Sequence, residues 1–381
     1  MPLRGSSEPV RLPTLDGWRT VAVLIVIWGH FMPGFYATEA QYYADSLSRF
    51  GGFGVDIFFG ISGFLITKLL LDEQAESGGI SIAAFYVRRA FRILPPCFLY
   101  LAVVLITVGV HSRLEVFSVL FFFRNYIPDM AGSHATTHLW SLAVEEQFYL
   151  LWPALLVFIV LHRDPKSRAV LVAWISVACG LWRIADAQNQ VTERFLPYVP
   201  VHFRTDLRMD ALLWGCFAAF LMSDPTMRER LKNAFHQRTF VALLLAGLVC
   251  VARYSLLTGL WLPMVIPLLL MGTILHPEWI ISRLLDHPWV RFIGRMSYSL
   301  YLWQQLFLVS GWEPRLVFQK SPQNLILIFI CAVLSYKLVE KPCMNFGRKL
   351  SAGIRSRQVY HHDYGLSTPA DRPPALSGSS S

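Results

Sequence analysis

Charge is scarce in this chain: of 381 residues only 15% are charged, 54% are hydrophobic, and the mean hydropathy is +0.45. So little polar surface cannot cover a water-soluble globule of this size, which excludes an ordinary cytosolic enzyme. Paired cysteines are lacking as well. Among the six cysteines there is no C-x-x-C and no Cys/His ligand spacing, and Cys97, Cys179, Cys216, Cys250 and Cys331 sit in or beside apolar runs. Neither a disulfide framework nor a metal site is expected. The net charge of +9 is not gathered into a nucleic-acid-binding block, because the basic residues lie between apolar runs. No small-residue cleavage site follows the first of those runs, so no removable leader is expected.

What the chain has in abundance is apolar runs and aromatic rings, with 12 Trp, 14 Tyr and 27 Phe. Rings of this kind suit the headgroup boundary, and runs long enough for a hydrocarbon core of about 30 Å predict an all-α, polytopic integral membrane protein. Ten spans are expected, near Trp18 to Tyr36, Phe50 to Leu71, Ile93 to Val110, His138 to Leu161, Ala169 to Ala187, Leu207 to Met222, Phe240 to Leu257, Trp261 to Leu275, Val290 to Gly311 and Leu325 to Val339. The stretch from Leu114 to Ile127 is short, contains Arg124 and ends at Pro128, and fits a re-entrant or interfacial helix as well as a span. Loop charges decide. With that stretch outside the count and both termini cytoplasmic, 18 Lys and Arg fall on the inner side and seven on the outer; an eleventh span would turn the basic groups at 163–168, 228–238 and 341–357 outward. The expected organisation is a cytoplasmic segment at 1–12, a transmembrane domain at 13–346, and a cytoplasmic tail at 347–381. From about Val359 that tail is Ser/Pro-rich and too polar to order itself.

Ionisable side chains inside spans are costly and mark function or pairing. Arg19 and His30 are eleven residues apart in the first span, which separates them by about 16 Å and leaves them within about 20° of one helical face. Counting inward from the outer ends of the predicted spans puts Asp56, Glu145 and Gln304 at a depth similar to His30, which predicts one shared cavity. A neutral His oriented by a carboxylate, here Glu145 or Asp56, can take a proton from a hydroxyl. Each has a plainer reading: His30 as a packing residue, Asp56 as a partner of backbone groups, Glu145 or its neighbour Glu146 as structural, and Gln304 as a packing or substrate hydrogen bond. Arg88 and Arg92 are four residues apart with Arg89 between them and Pro95 and Pro96 following, and three guanidiniums at a membrane border either clamp phosphates or anchor the inner face. Asp206 and Asp210 share a face with Arg208 between them, as an ion pair would need. Glu340 and Lys341 at the inner end of the last span invite a salt bridge.

The same residues stand in phrases that resemble, in order, the motifs of the membrane-bound acyltransferase 3 family: LDGWRTVAVLIVIWGHF, GVDIFFGISGFLIT, RRAFRILPP, HLWSLAVEEQFYLLWP, DLRMDALLWG, IGRMSYSLYLWQQ and VEKP. Seven motifs over residues 13 to 346 make the resemblance specific. It implies transfer of an acyl group, most often acetyl from acetyl-CoA, to a hydroxyl of a sugar in a surface or exported glycan, or in some members of a small molecule or antibiotic. It implies no tightly bound cofactor, a glycan or glycolipid acceptor, and a bacterial inner membrane. Arg19 and His30 match the family's Arg-x10-His pair with His30 catalytic. Arg88, Arg89 and Arg92 match the group associated with the acyl-CoA donor, and Glu145 matches the acidic position of its SLxxE phrase. Where many relatives read SLYLWH, this chain has Gln304, which leaves His30 as the base. Trp140, Asp206, Arg208, Asp210 and Gln304 are the expected substrate contacts; His138, Trp140, Ser141, Tyr298 and Gln304 can donate hydrogen bonds to an oxyanion. Acceptor recognition is expected from the cavity and from residues 188–206. A proton-coupled transporter is the rival from another class, and lacks the paired Gly/Pro-broken spans such a fold uses.

Overall fold

The computed structural model describes residues 12–35, 41–110, 112–127, 133–192, 194–195, 199, 203–252, 256–308 and 317–364. Among these residues every regular element is a helix. In chain order they are α1 (Pro13–Phe35), α2 (Gln41–Ser77), α3 (Ile82–Thr107), α4 (Arg113–Leu120), α5 (His134–Thr137), α6 (Trp140–Leu155), α7 (Pro165–Asn189), α8 (Thr205–Ser223), α9 (Pro225–Ala234), α10 (Gln237–Ala252), α11 (Leu256–Leu275), α12 (Ile280–Leu285), α13 (Pro288–Arg295), α14 (Ser297–Phe307), α15 (Gln323–Ser335) and α16 (Lys341–Tyr364). Single π turns, Leu156–Val160 and Tyr336–Glu340, extend α6 and join α15 to α16.

Helix α2 is the hub, packed against α1 on one side and α8 on the other, while α3 lies along α16 and α14 along α15. Small residues allow these close crossings, as they do where lipid tails give no hydrophobic incentive for helices to associate. At the α2–α8 crossing a Cβ on Gly63 would lie 1.8 Å from the Leu212 carbonyl oxygen, and one on Gly215 would lie 2.3 Å from that of Gly60. Gly63→Ala therefore forces the two helices apart and is expected to cost about 1–3 kcal/mol or more, read as a lower unfolding temperature in detergent. Around the rim Ile106, Phe158 and Trp174 are largely exposed, the arrangement of side chains solvated by lipid rather than water.

The chain is an integral membrane protein in outline. Four helical stretches, Gly51–Ser77, Ile82–Thr107, Pro165–Asn189 and Thr258–Leu275, are long and apolar enough to cross a bilayer unaided. Among the described residues the other six predicted spans fall on helices that are shorter, broken or punctuated by polar residues, and the end of the first at Tyr36 and residues 253–255 of the seventh lie outside the described residues. The ninth is divided between α13 and α14 at Met296, and its end at 309–316 lies outside the described residues. The stretch from Leu114 to Ile127 holds only the eight-residue α4 and a 3-10 turn, about 12 Å of helix, too short to span. Arg124 is held there by donating to the Ile127 carbonyl (3.1 Å) and the Thr136 and Thr137 hydroxyls (both 3.2 Å). Helix α16 runs through residue 347 to Tyr364, packs along α3, and is tied in by Arg355, whose guanidinium is 2.5 Å from Glu73. Residues 1–11 and 365–381 lie outside the described residues.

Candidate active site

The α1–α2 crossing sets the depth of every candidate. A Cβ on Gly51 would lie 3.6 Å from Gly29, and one on Gly54 would meet Ala22 and Val26, so the two helices run antiparallel with His30 level with residue 50 or so. Asp56 then lies about 9 Å deeper than His30, and Ser62 about 18 Å deeper, near the level of Arg19. This corrects the expected depth match between His30 and Asp56. Helix α2 begins at Gln41, nine residues before the apolar run from which depth was counted.

At the Arg19 end lies a cavity lined by Arg19, Ser62, Arg89, Arg92, Ser141, Glu145, Ser297, Tyr298 and Tyr301 together with apolar residues. Three guanidiniums converge here. Arg19 has an ion pair with Asp16 at 3.7 Å, and Arg89 stacks over the Tyr149 ring, 4.0 Å from its centre. Glu145 accepts hydrogen bonds from the Ser62 and Tyr149 hydroxyls. Glu146 lies behind it near Arg89 and Arg92, and Glu340 accepts from Ser299 at 2.7 Å near Arg92 and Arg19. The carboxylate of Glu340 is buried here, so the expected salt bridge to Lys341 is replaced by this inward contact.

Arg88 does not join the cavity. It turns to Glu73 (3.4 Å), which also receives Arg355 and the Ser81 backbone N–H, so the α3 arginines that line the cavity are Arg89 and Arg92, three residues apart. Arg88 instead fastens α3 to α2 and α16.

His30 stands at the other end of α1. Its Nδ1 is 3.0 Å from the Val26 carbonyl oxygen. A carbonyl can only accept, so Nδ1 carries the proton and Nε2 keeps its lone pair, the arrangement a general base requires. The groups around it are not the two expected carboxylates but the Gln304 amide and the imidazoles of His134 and His138. His134 Nε2 is 3.1 Å from the Leu308 carbonyl oxygen and is also in contact with the Gln305 amide. Helix α14 joins the two ends, since Tyr298 and Tyr301 face the arginine cavity while Gln304, three residues on, reaches His30.

Asp56 is committed elsewhere. Its carboxylate accepts from Arg208 at 2.6 Å, and the Arg208 guanidinium lies over Phe59 (5.8 Å) and Trp140 (5.6 Å), with Trp140 stacked on Phe203. The expected pairing of Arg208 with its neighbours Asp206 and Asp210 is thereby corrected. Asp210 takes a two-pronged bond from Arg183 (3.0 and 2.8 Å), and Asp206 pairs with Arg204. Sequence reasoning missed Arg183, whose signal was a lone arginine in an apolar run, and His134, whose signal was its placement four residues before His138.

Taken together, these features define a helical membrane protein with a cationic cavity at one end of α1 and a buried imidazole at the other. Residues 12–336 match the family model described as an acyltransferase domain, and the chain belongs to that acyltransferase 3 family. It is 30% identical over 376 residues to a Staphylococcus aureus (strain COL) protein provisionally named as an O-acetyltransferase, an alignment covering 89% of this chain and 58% of that one. It is 28% identical to the peptidoglycan O-acetyltransferase OatA of Listeria monocytogenes, covering 88% and 56% of the two chains. Against a Bacillus subtilis (strain 168) protein provisionally named peptidoglycan O-acetyltransferase YrhL it is 29% identical, with coverage of 92% and 57%. The chain thus spans under three-fifths of the length of these curated relatives. No solved structure matches it.

Proposed function

We propose that the protein is a membrane-bound O-acyltransferase that moves an acyl group, acetyl by preference, from acyl-CoA on the cytoplasmic side to a sugar hydroxyl of a surface or exported glycan. Ten spans with both termini cytoplasmic, in a bacterial inner membrane, give this reaction its sidedness. One observation carries the proposal: His30, its Nδ1 engaged by the Val26 carbonyl, stands at the far end of the helix whose near end holds Arg19 in a cavity with Arg89 and Arg92. Coenzyme A has phosphates at one end and its thioester on a flexible arm. Phosphates held by the three guanidiniums leave the thioester to travel along α14 toward His30, a climb of about 16 Å. There Nε2 takes the proton of the acceptor hydroxyl, and the oxygen attacks the acyl carbon. The family match and the names of the relatives support the chemistry, and two names that specify peptidoglycan support a glycan acceptor.

The test is the O-acetyl content of the cell-surface glycan, measured by mass spectrometry in cells with and without the chain. Acetyl esters that depend on the chain are expected; unchanged ester content combined with no consumption of labelled acetyl-CoA would favour a transporter. Within the enzyme, Arg89→Ala and Arg92→Ala are each expected to raise KM for acetyl-CoA about 10- to 100-fold, the worth of a hydrogen bond to a charged group. Arg88→Ala should leave that KM within about twofold and lower thermal stability instead, because it removes one partner of Glu73. Steady-state kinetics on the three variants separate the cavity from the fastening.

A further inference from the structure

Between the arginine cavity and His30 the interior contains polar atoms that lack a satisfied partner. Gln304 is completely buried, and among the described residues neither atom of its amide makes a hydrogen bond of acceptable geometry, its nearest polar neighbour being the His30 imidazole. His138 is 3% exposed, and among the described residues neither ring nitrogen has a partner of acceptable geometry, the Leu302 backbone carbonyl being within reach of one of them. Trp303 Nε1 and Gln305 Oε1 add two more such atoms on the same helix, α14. Native interiors rarely leave polar groups unpaired, and a cluster of them points to a ligand that completes the bonds.

His138 is firmly placed. Tyr100 packs edge-on at 5.6 Å between ring centres and Tyr301 at 5.2 Å, and the Tyr301 hydroxyl donates to the His138 backbone carbonyl. That hydroxyl is also 2.5 Å from Ser141 Oγ, and Tyr301 and Ser141 both line the arginine cavity. The imidazole therefore lies between the Tyr301–Ser141 side of the cavity and His30.

Resting on the function proposed above, and deepening it, we infer that His138 is a catalytic residue that donates a ring N–H to the carbonyl oxygen of the acyl donor, with the Gln304 amide as second donor. His30 Nε2 takes the proton from the acceptor hydroxyl while its oxygen forms a bond to the acyl carbon. The carbonyl π pair moves onto oxygen, and His138 and Gln304 hold the resulting oxyanion. When that pair returns, the C–S bond breaks, and the departing thiolate takes the proton from His30. His138 gains and loses no proton, so a neutral side chain with an N–H suffices at this position.

The experiment measures acyl transfer from labelled acetyl-CoA by the full chain in membrane vesicles, with unfolding followed in detergent. His138→Ala is expected to lower kcat about 100- to 1,000-fold, the usual effect of losing one oxyanion donor, with KM for acetyl-CoA within about threefold. His138→Asn keeps an N–H donor but no base and is expected to recover at least about tenfold of the loss. His138→Phe, which keeps the ring between Tyr100 and Tyr301, carries the same test if the alanine variant fails to fold. Activity of His138→Ala or His138→Phe within about threefold of the parent, a loss confined to KM, or an Asn variant no better than Ala overturns the inference. Failure of the underlying function looks different: the parent chain would transfer no acetyl, or His30→Ala would retain full transfer.

Discussion

A His30→Ala variant loses acyl transfer by about three orders of magnitude while its unfolding temperature stays close to that of the parent chain. The size follows from removal of a positioned general base, which contributes about 10²–10⁴ in rate. Its stability is spared because the ring bonds to Val26 of its own helix, and the Val26 carbonyl keeps its place in the α1 backbone. His30→Gln keeps a side chain of similar length without a basic nitrogen and is expected to be as inactive. Turnover of labelled acetyl-CoA in vesicles, with the unfolding temperature measured alongside, checks both halves. An alanine variant that folds and transfers at the parent rate would move the base to another residue.

The largest effect on stability is expected at Asp56 and Arg208. The Asp56 carboxylate is buried and the Arg208 guanidinium half-buried between α2 and α8, 2.6 Å apart, and their contact joins residues 152 positions apart in the chain. Arg208→Leu leaves a carboxylate uncompensated in the membrane interior and is expected to cost about 3–5 kcal/mol. Asp56→Leu strands the guanidinium over Phe59 and Trp140 at a similar cost. The double variant, with neither charge, should regain most of the loss, because a well-packed apolar pair often matches a buried ion pair. Thermal unfolding of the four proteins forms a double-mutant cycle. A carboxylate that served to orient His30 would behave differently: Asp56→Leu would lower kcat without lowering stability, and the double variant would recover nothing.

Much of this site is visible in the sequence because the Arg19–His30 relation lies within one helix, where periodicity fixes both spacing and face. The all-helical class follows from composition for the same local reason. Relations between helices were harder to read. Asp56 reads as level with His30 because its apolar run starts near residue 50, yet α2 begins at Gln41, and the partner of Asp56 sits on a helix far along the chain. Asp210 looked like a partner for Arg208, two residues away, but tertiary packing brings Arg183 to it instead. On α3, three arginines in five residues cannot all face one cavity, and the choice of Arg89 and Arg92 over Arg88 was made by Glu73 on the neighbouring helix. The continuation of α16 beyond residue 347 was hidden for a related reason: its polar composition gives no sign of the groove on α3 that Gly347 enters, where a Cβ would lie 2.6 Å from Phe91.

The central claim is directional, with donor and acceptor entering from opposite faces and meeting near His30. Sealed vesicles of both orientations, carrying the chain and endogenous wall-glycan precursors, can be given labelled acetyl-CoA from outside only. Inside-out vesicles, whose cytoplasmic face is exposed, are predicted to place label on glycan within the lumen, and right-side-out vesicles to place none. Equal labelling in both orientations, or label appearing only on acceptors outside inside-out vesicles, would contradict the account.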